Sequence, residues 1–423
     1  MKIAFITFEY PPDTAYGGIA TYVNQAAIML QSRGHQVEVF TSSPYRSGDE
    51  WESGVLVHRI RVAGQRDFSK PIGQVFAKRH AQIQFDVLEG PEFCADAREA
   101  VRLVPEVPFV VKLHTPSILL YNLNFRSTYS FSFTTKVRLY IRGWLKGSRP
   151  RWGSDPNLEL HRQRTMQTNE MERLHTLDAD EIASPSTELA KLLEEEWNLN
   201  PAMISHVPYP YQPSEDLLKI PVETCTNVVT FLGRLEVRKG VLDLAKAIPL
   251  VLDRCPQAKF RFVGPSDVSP EPGISMEHHL KRTLRRFSKK VEFTGGVPIG
   301  EIPGVLAATD VCVFPSVWEN FPCVCLEAMA AARGIVASNA GGMVGMLDSG
   351  RLGRLHPPFS PKRIAETVIE LVENPALRME LGQAARTHLL AAYNLERIGA
   401  LQEASYAQAI ARRKAIGGPL VTA

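Results

Sequence analysis

Short apolar runs alternate with longer amphipathic segments along most of the chain. Runs typical of strands occur at 2–8, 36–40, 55–61, 87–89, 109–113 and 181–184, and again at 228–232, 259–263, 291–294, 311–314 and 334–338. Residues 19–33 carry apolar positions at helical spacing and end before Gly34, which predicts a helix there. Strands that alternate with helical segments predict parallel sheets with helices on both faces, and therefore an α/β fold.

One segment interrupts this alternation. Residues 207–213 contain three prolines in seven positions. Because proline-rich segments are extended and stiff, we interpret 208–213 as a linker between two domains, with the first at 1–207 and the second at 214–396. The remaining tail, from 361 to about 410, is predicted to be mainly helical.

Composition narrows the class of protein. The chain has 423 residues, of which 44% are apolar, so roughly two to three domains can each bury a core. A formal net charge of +3 gives no support for nucleic-acid binding. The six cysteines include no Cys-x-x-Cys pair, which predicts reduced thiols in a cytoplasmic protein and no zinc site. No apolar run approaches the length of a membrane span, and the first apolar run is too short for a signal-peptide core.

Two carboxylates stand out near the start of a predicted helix. Glu319 and Glu327 are separated by seven residues, after the strand at 311–314 and within a loop that leads into a helix-forming run. In an open α/β sheet, ligands bind at this place, where a strand ends and a helix begins. Glu319 is expected on the loop and Glu327 in the first helical turn. The spacing alone fits equally a ligand-binding pair and an ordinary solvated Glu followed by a capping Glu.

Several further motifs accompany this pair, in a fixed order. They are Gly17-Gly18 after the first strand, His114 after a later strand, Phe-Leu-Gly-Arg-Leu-Glu-Val-Arg-Lys-Gly at 231–240, Val-Glu-Phe-Thr-Gly-Gly-Val at 291–297, and Gly341-Gly342. Together with the Glu-x7-Glu motif, they resemble the retaining, nucleotide-sugar-dependent glycosyltransferases of family 4. The resemblance covers most of the chain.

That resemblance implies the GT-B architecture, in which two Rossmann-like parallel-sheet domains face a central cleft and a last helix, here about 397–415, packs back on the first domain. It also implies transfer of a hexosyl unit from a UDP- or GDP-sugar to an acceptor hydroxyl, with retention and without a metal ion or other cofactor. The acceptor would be a glycan or a lipid-linked molecule in the assembly of cell-surface polysaccharide, glycolipid or glycan.

The family's site residues carry over to matching positions. Glu319, His114, Arg234 and Lys239 would act at the reacting centre, with Arg234 and Lys239 aimed at the departing diphosphate. Glu327 would hold the ribose hydroxyls. The resemblance also implies that the donor contacts Gly17, Gly18, Gly233, Gly264, Gly296, Val297, Asn320, Phe321, Pro322 and Cys323. Arg238 is an alternative to Lys239, which we prefer because it precedes Gly240 as in the family.

Three positions depart from the family pattern. Arg333 and Ile335 stand where the family usually has Gly and Pro, and Gly345 stands where it tends to have Glu. The absent carboxylate at position 345 makes the donor contact of the helix after Gly342 less secure than the rest of the site.

The segment 119–152 is specific to this chain. It contains seven Lys or Arg, eight aromatic residues and no Asp or Glu, with a predicted helix at 137–145. A basic amphipathic helix with aromatic neighbours suits an anionic membrane, which would place the enzyme on the inner face of the plasma membrane beside a lipid-linked acceptor. A partly buried helix with a solvated basic face fits the pattern as well, and single-stranded nucleic acid suits the same composition.

Two other functions are compatible with the same fold. A nucleotide-sugar isomerase or epimerase would bind the same donor but use no acceptor, which leaves the basic aromatic segment without a purpose. A noncatalytic sugar-nucleotide binding protein would have no need of Glu319, Arg234 and Lys239 together.

Overall fold

The structure is a computed structural model that describes residues 1–14, 17–129, 156–267, 269–271 and 273–417. Within these residues the strands form an eight-stranded and a six-stranded sheet. The first sheet contains β1 (Lys2–Ile6), β2 (Gln36–Ser43), β3 (Gly48–Glu52), β4 (Val55–Arg61), β5 (Val87–Pro91), β6 (Phe109–Lys112), β7 (Glu181–Ser184) and β8 (Ile204–His206). The second contains β9 (Val228–Leu232), β10 (Lys259–Val263), β11 (Val291–Gly295), β12 (Val311–Phe314), β13 (Gly334–Ser338) and β14 (Arg354–His356).

Helices connect most of these strands. Those of the first half are α1 (Gly18–Ser32), α2 (Ser69–Ile83), α3 (Arg98–Leu103), α4 (Ser117–Tyr129), α5 (Pro156–Leu177) and α6 (Thr187–Trp197). Those of the second half are α7 (Glu215–Leu218), α8 (Val241–Arg254), α9 (Met276–Thr283), α10 (Ile302–Ala307), α11 (Cys323–Ala330), α12 (Met343–Met346), α13 (Pro361–Glu373), α14 (Pro375–Ala392) and α15 (Leu395–Ile416).

Strand order determines where a ligand can sit. The sheets run β3-β4-β2-β1-β5-β6-β7-β8 and β11-β10-β9-β12-β13-β14, and the β3–β4 pair alone is antiparallel among the described strands. The order therefore reverses between β1 and β5 in one sheet, and between β9 and β12 in the other. At such a reversal the following loops separate and leave a crevice outside the carboxyl ends of the strands. The predicted α/β fold with two parallel Rossmann-like sheets is confirmed.

Amphipathic helices close the faces of these sheets. In α8, the buried positions recur at helical spacing and pack in one cluster with strands β9, β10 and β12. They are Val241, Leu244, Ala245, Ala247, Ile248, Val251 and Leu252. The strand residues Val229, Phe231, Phe260 and Val313 are almost fully buried in the same cluster. A near-continuous apolar strand is what a parallel sheet covered on both faces requires.

The predicted strands are present, with differences at their ends. The first strand ends at Ile6 and not at residue 8, and the helix predicted at 19–33 begins and ends one residue earlier. Strands β3, β8 and β14 were missed. β3 is a polar edge strand, and β8 and β14 have only three residues each, too few to produce a period-two pattern.

The segment between β8 and α7 has no helix or strand, and it is largely buried. Tyr209 packs between Tyr22 of α1 and Phe321 of the second half, with ring centroids 4.8 and 5.4 Å away. Phe321 in turn meets the ring of Tyr393 at 5.2 Å. The proposed linker at 208–213 therefore takes part in the contact between the two halves.

The last helix, α15, contacts the first sheet. Tyr406 and Gln402 both hydrogen-bond to the buried carboxylate of Glu89 on β5, at 2.7 and 3.0 Å. Arg413 binds Asp180, just before β7, at 2.8 Å. These contacts hold the end of the chain against the first half.

Two predictions from the sequence concern membrane association. The helix predicted at 137–145 lies outside the described residues, so the prediction of membrane binding by 119–152 stays a prediction. Among the helices that are described, none combines the length and the apolarity that a bilayer crossing demands.

Arg333, one of the departures from the family pattern, is a buried structural residue. Its side chain is 1% exposed, and its guanidinium donates to the carbonyls of Ala331, Thr309 and Pro221. An arginine with its donors satisfied by backbone carbonyls can be buried because hydrogen bonds offset part of the desolvation cost. It holds the segment before β9 against the end of α11.

Candidate functional site

Loops from both switch points supply the predicted site residues. Gly17 and Gly18 follow β1, and His114 follows β6, which is two strands from β1. Arg234 and Lys239 follow β9, and Glu319 follows β12. Because all these strands are parallel within their sheets, each loop lies at a carboxyl edge.

Lys239 and Glu319 form an ion pair. The Lys239 ammonium lies 2.5 Å from the Glu319 carboxylate, and the Ser316 hydroxyl donates to the same oxygen at 2.8 Å. Arg238 lies 3.6 Å from that oxygen and 2.8 Å from Glu236. The structure therefore places both Lys239 and the alternative cation Arg238 beside Glu319, with Lys239 the closer.

Burial and charge shift the pKa of each member of this pair in opposite directions. Burial alone would raise the pKa of Glu319, but Lys239 and Arg238 outweigh it, so the pKa lies below its ordinary value. Burial lowers the pKa of Lys239, although Glu319 opposes that change. At a contact this short each charge stabilises the other, and we take the pair as ionised.

Close backbone contacts hold the two loops together. Gly240 has φ +71°, and a Cβ there would lie 1.8 Å from the carbonyl oxygen of Pro315. The Val317 amide donates to the Arg238 carbonyl at 2.7 Å. On the other side, Cβ atoms at Gly341 and Gly342 would lie 2.0 and 1.8 Å from the carbonyls of the Glu319 loop. Glycine is required at these positions because the backbones touch.

His114 is buried and held from both sides. Its backbone amide donates to both oxygens of Glu92 at 2.8 Å, and its Nδ1 lies 2.6 Å from the hydroxyl of Tyr209. Burial, reinforced by Lys112, lowers the pKa of His114 to about 3, so the ring is neutral at physiological pH. The Tyr209 hydroxyl has two acceptors, His114 Nδ1 and, at 3.3 Å, the Leu113 carbonyl. When it donates along the shorter contact, the ring proton lies on Nε2, which can then donate to a ligand.

Asn320 joins the two halves of the molecule. Its Oδ1 accepts from the Ser186 hydroxyl at 2.6 Å, and its Nδ2 donates to the His114 carbonyl. Ser186 also caps α6 by accepting from the Leu189 amide. Asn320 was predicted to contact the donor, but here both ends of its side-chain amide are engaged by the first half.

Glu327 lies in the second turn of α11, which begins at Cys323, so its predicted position in the first turn is wrong. Burial raises the pKa of its carboxyl to about 7. Among the described residues none donates a hydrogen bond to this carboxylate. Glu327 is half-buried, and a carboxylate in this position without protein donors is suited to accept hydrogen bonds from a ligand diol.

Glu9 was missed by the sequence analysis. It lies at the amino end of α1, where a Cβ on Gly17 would be 3.5 Å from its carboxylate. Burial raises the pKa of Glu9, and the amides of Ala20 and Gly17 with the cation of Arg234 offset only part of this effect. Arg234 itself is 53% exposed and reaches Glu236 only at 3.6 Å. The predicted diphosphate position at Gly17 and Gly18 thus has a carboxylate from one half and a cation from the other.

The other predicted residues are less closely grouped. Gly233 and Gly264 end neighbouring strands, and the Gly233 amide donates to the carbonyl of Val263. Gly296 and Val297 follow the edge strand β11, two positions from β9, and do not contact the ion pair. Pro322 and Cys323 begin α11, and burial raises the pKa of the Cys323 thiol to about 12, which keeps it protonated.

Ile335 and Gly345 are the other two positions that depart from the family pattern. Ile335 is a buried residue of β13. Gly345 lies in α12, and a Cβ at this position would be 3.9 Å from the carboxylate of Glu188, on α6 of the other half. A carboxylate is therefore present beside position 345, although it comes from a different element.

Comparison with known proteins gives two family matches. Residues 17–210 match the family described as "Glycosyl transferase 4-like domain", and residues 226–374 match "Glycosyl transferases group 1". Together these matches cover most of the chain. The D-inositol 3-phosphate glycosyltransferase of Corynebacterium jeikeium is 34% identical over 164 residues, which make up 38% of this chain and 39% of that protein. The chain thus matches about two-fifths of the length of that relative.

Solved structures resemble the whole chain in fold. Sucrose-phosphate synthase from Thermosynechococcus elongatus has a TM-score of 0.71 at 20% identity, with 97% of this chain and 99% of that chain covered. HepE from Anabaena, solved with UDP, has a TM-score of 0.61 at 16% identity, with 96% and 100% covered.

Replacing Gly240 by Ala should separate the two loops. The new methyl group would overlap the Pro315 carbonyl, and the positive φ disfavours any side chain, so we expect a loss of about 1–3 kcal/mol of folding free energy. Urea unfolding measures this loss. Gly304→Ala in α10 is the control, because a Cβ there meets nothing within 4 Å. Equal stability of both variants would contradict the close contact.

Replacing Tyr209 by Phe should remove the hydroxyl that orients His114 but keep the ring packing. We expect kcat to fall roughly tenfold, the effect of one lost hydrogen bond in a buried site. Nitrogen NMR of His114 should show a mixture of ring tautomers in place of one. Tyr393→Phe is the control, since Tyr393 packs on Phe321 in the same aromatic row. An unchanged NMR signal in Tyr209→Phe would contradict the orienting role.

Proposed function

Because the chain belongs to the two-domain GT-B glycosyltransferases, we propose that it transfers a hexosyl unit from a nucleoside-diphosphate sugar, either a UDP- or a GDP-sugar, to an acceptor hydroxyl. We further propose that the anomeric configuration is retained and that no metal ion is needed. The structural likeness to HepE, which was solved with UDP, supports a nucleotide donor. The proposed product is a glycan or glycolipid of the cell surface.

The observation that carries this proposal is the pairing of Lys239 and Arg238 with Glu319, together with the nearby cation of Arg234, which acts on Glu9 beside Gly17. A departing nucleoside diphosphate gains negative charge as its bond to the sugar breaks. Fixed cations near it are therefore more valuable in the transition state than in the ground state. Lys239 has three N–H donors, so the contact with Glu319 leaves others for phosphate oxygens.

The proposed transfer is balanced without an added reagent. The bond between the anomeric carbon and the diphosphate oxygen breaks, and the acceptor oxygen bonds to the same face of that carbon. The acceptor proton passes to the departing diphosphate. Glu319 stabilises the positive charge that develops on the sugar, and the neutral His114 can donate from Nε2 to a sugar hydroxyl.

Removing the proposed phosphate cations should slow transfer by about 10²–10³-fold, the scale of a lost transition-state donor. Arg234→Ala tests this with little effect on folding, because Arg234 is 53% exposed. Lys239→Ala would leave the buried Glu319 unpaired, so Lys239→Met is combined with Glu319→Gln to remove both charges. Transfer and donor hydrolysis are measured with the donor that a thermal-shift panel of UDP-, GDP-, ADP- and TDP-sugars identifies.

The control for these variants is Lys246→Ala on α8, whose side chain is 65% exposed and pairs with Asp243. EDTA should leave the rate unchanged, and NMR should give a product with the anomeric configuration of the donor. Activity of Arg234→Ala within a few-fold of the wild type would remove Arg234 from the site. An inverted product, or a strict requirement for Mg²⁺, would overturn the retaining, metal-free scheme.

Donor affinity should depend on pH through Glu327. The ionised carboxylate can accept a ribose hydroxyl at each oxygen, whereas the protonated form has one oxygen that donates, and the pKa is about 7. Donor binding must therefore expel a proton below pH 7, and affinity should rise up to tenfold per pH unit between about pH 5.5 and 7, then level off. Calorimetric titrations from pH 5.5 to 8.5 measure this dependence. The donor does not titrate in this range, since each of its phosphates has one ester and one anhydride bond and keeps a single, strongly acidic oxygen.

Glu327→Gln is the matched variant for this experiment. It should bind the donor more weakly at high pH and should lose the part of the pH dependence that the carboxyl contributes. The same pH slope in wild type and variant would show that Glu327 does not hold the ribose.

A further inference from the structure

A cavity of about 1100 Å³ lies in the first half, apart from the Lys239–Glu319 pair. Its walls are formed by α2, α3, α5, the start of α4 and the loop after β5. Phe93 and Cys94 on its wall directly follow Glu92, whose carboxylate holds the His114 amide. Ser117, also on the wall, is three residues after His114. The cavity therefore lies beside residues that flank His114, at the carboxyl ends of β5 and β6.

The cavity carries more positive than negative charge. Five cations line it, against two carboxylates, Glu99 and Asp178. Arg102 is bound to Glu99 at 2.7 Å. The other four cations have no carboxylate within ion-pair distance in the described part of the chain; they are Arg66, Lys70, Arg98 and Arg164. Glu99 and Asp178 act on Lys70 and Arg98 only from beyond ion-pair distance, so the cavity keeps an excess of positive charge that attracts an anion.

The part of the wall near His114 contains strained backbone and is held by hydrogen bonds to a buried carboxylate. Cys94 and Ala95 have φ +56° and +52°, in the left-handed region that non-glycine residues rarely adopt. The buried carboxylate of Glu172 accepts from the amides of Cys94 and Ser117, each at 2.9 Å, and so ties the loops after β5 and β6 together. Strain held in place by a buried group is concentrated at functional sites.

The wall also carries a buried polar atom without a hydrogen-bond partner, the Nε2 of His175. His175 is 2% exposed, lines the cavity, and has an Nε2 with no hydrogen bond. Burial, reinforced by Arg98, lowers the pKa of His175 to about 3, so the ring is neutral. A buried ring nitrogen without a partner is costly unless a ligand or water completes it.

Arg66 and Arg98 line the same cavity as the strained loop. Arg66 opposes the rise in the pKa of the Cys94 thiol, and Arg98 helps to lower the pKa of His175, so each cation is close to one of these groups. Arg164 faces them from α5, on the same helical stripe as Thr168 and His175. Arginine provides a planar fork that matches phosphate oxygens.

We propose that this cavity is the acceptor subsite and that it takes an acceptor bearing a phosphate group, held by Arg66, Arg98 and Arg164. The inference rests on the proposed glycosyltransferase function and specifies its acceptor class. The acceptor phosphate takes no part in bond making; it anchors the molecule while one of its hydroxyls is presented at the His114 side. A sugar phosphate or polyol phosphate and a lipid-linked phosphate share this chemistry.

The first test requires neither a donor nor turnover. Calorimetric titration with inorganic phosphate and with glucose 6-phosphate should show saturable binding to the wild type, and Arg66→Gln and Arg98→Gln should each weaken it about tenfold or more. Arg234→Ala, which changes an exposed cation of the donor side, should keep this binding, which separates the cavity from the donor site. Arg173→Gln is the matched control, because Arg173 is on α5 but outside the cavity and pairs with Glu170.

Two binding results would overturn the inference. One is the absence of saturable phosphate binding to the wild type. The other is a loss that is as large in Arg173→Gln as in Arg66→Gln and Arg98→Gln, which would indicate unspecific attraction.

The second test uses turnover and distinguishes this inference from the proposed function. The identified donor is offered with glucose 6-phosphate, with glucose, and with a lipid phosphate in detergent micelles, and both transfer and donor hydrolysis are measured. Arg98→Gln should lose transfer to the phosphorylated acceptor about tenfold or more and keep donor hydrolysis within about threefold. Preference for the soluble or the micellar phosphate identifies the source of the acceptor.

The outcomes of the second test are separable. Transfer to glucose as fast as to both phosphorylated acceptors refutes the acceptor class and leaves the proposed function intact. A wild type that neither hydrolyses a nucleotide sugar nor transfers from one refutes the proposed function, whatever phosphate binding the calorimetry gives.

Discussion

The geometry of the site depends on the buried ion pair between Lys239 and Glu319. Neither charge could remain buried alone, because an unpaired charge in a protein interior typically costs several kcal/mol. The pair therefore requires that the loop after β9 and the loop after β12 stay in contact, which the absence of side chains at Gly240 and Gly341 allows. The same contact fixes where the next two residues, Asn320 and Phe321, leave the loop.

Those two residues connect the pair to the first half of the molecule. Asn320 bonds to Ser186 and to the His114 carbonyl, and Phe321 packs on Tyr209, whose hydroxyl orients the His114 ring. His114 is thus held by its backbone and its ring, in each case through a group that also contacts the Glu319 loop. Separation of the two halves would break the contacts of Asn320 and Phe321 together, so the arrangement of His114 depends on the contact between the halves.

Periodicity predicted the fold well wherever burial on both faces produces long apolar runs. The bounds of β4, β7, β9, β10, β12 and β13 were predicted to the residue. β9, β12 and β13 are almost wholly apolar because helices cover both faces, whereas β4 and β10 alternate apolar and polar residues over part of their length. β3 was missed because an exposed edge strand such as Gly48–Glu52 has no apolar face to reveal it. The order of the motifs predicted that Lys239 and Glu319 lie in the same site. The structure places them in contact because they follow β9 and β12, which are neighbours in one sheet.

Other parts of the site could not be predicted from local sequence. Glu9 and Tyr209 act through partners that are distant in the chain, and neither stands in a pattern that marks it beforehand. The turn position of Glu327 was wrong because the helix begins at Cys323, without a side-chain cap that the sequence could signal. The sign of a pKa shift likewise depends on burial, which only the packed structure determines.

The cations beside the proposed diphosphate position are paired with carboxylates more completely than the cations that line the cavity. Beside the proposed diphosphate position each cation faces a carboxylate: Lys239 with Glu319, Arg238 with Glu236, and Arg234 with Glu9. A ground-state donor must compete with those carboxylates, which limits how tightly it binds. The transition state carries more negative charge on the diphosphate and competes better, so the same cations favour it over the ground state. In the cavity five cations face only two carboxylates, Glu99 and Asp178, so an acceptor phosphate meets less competition there, which suits a group whose charge does not change during the reaction.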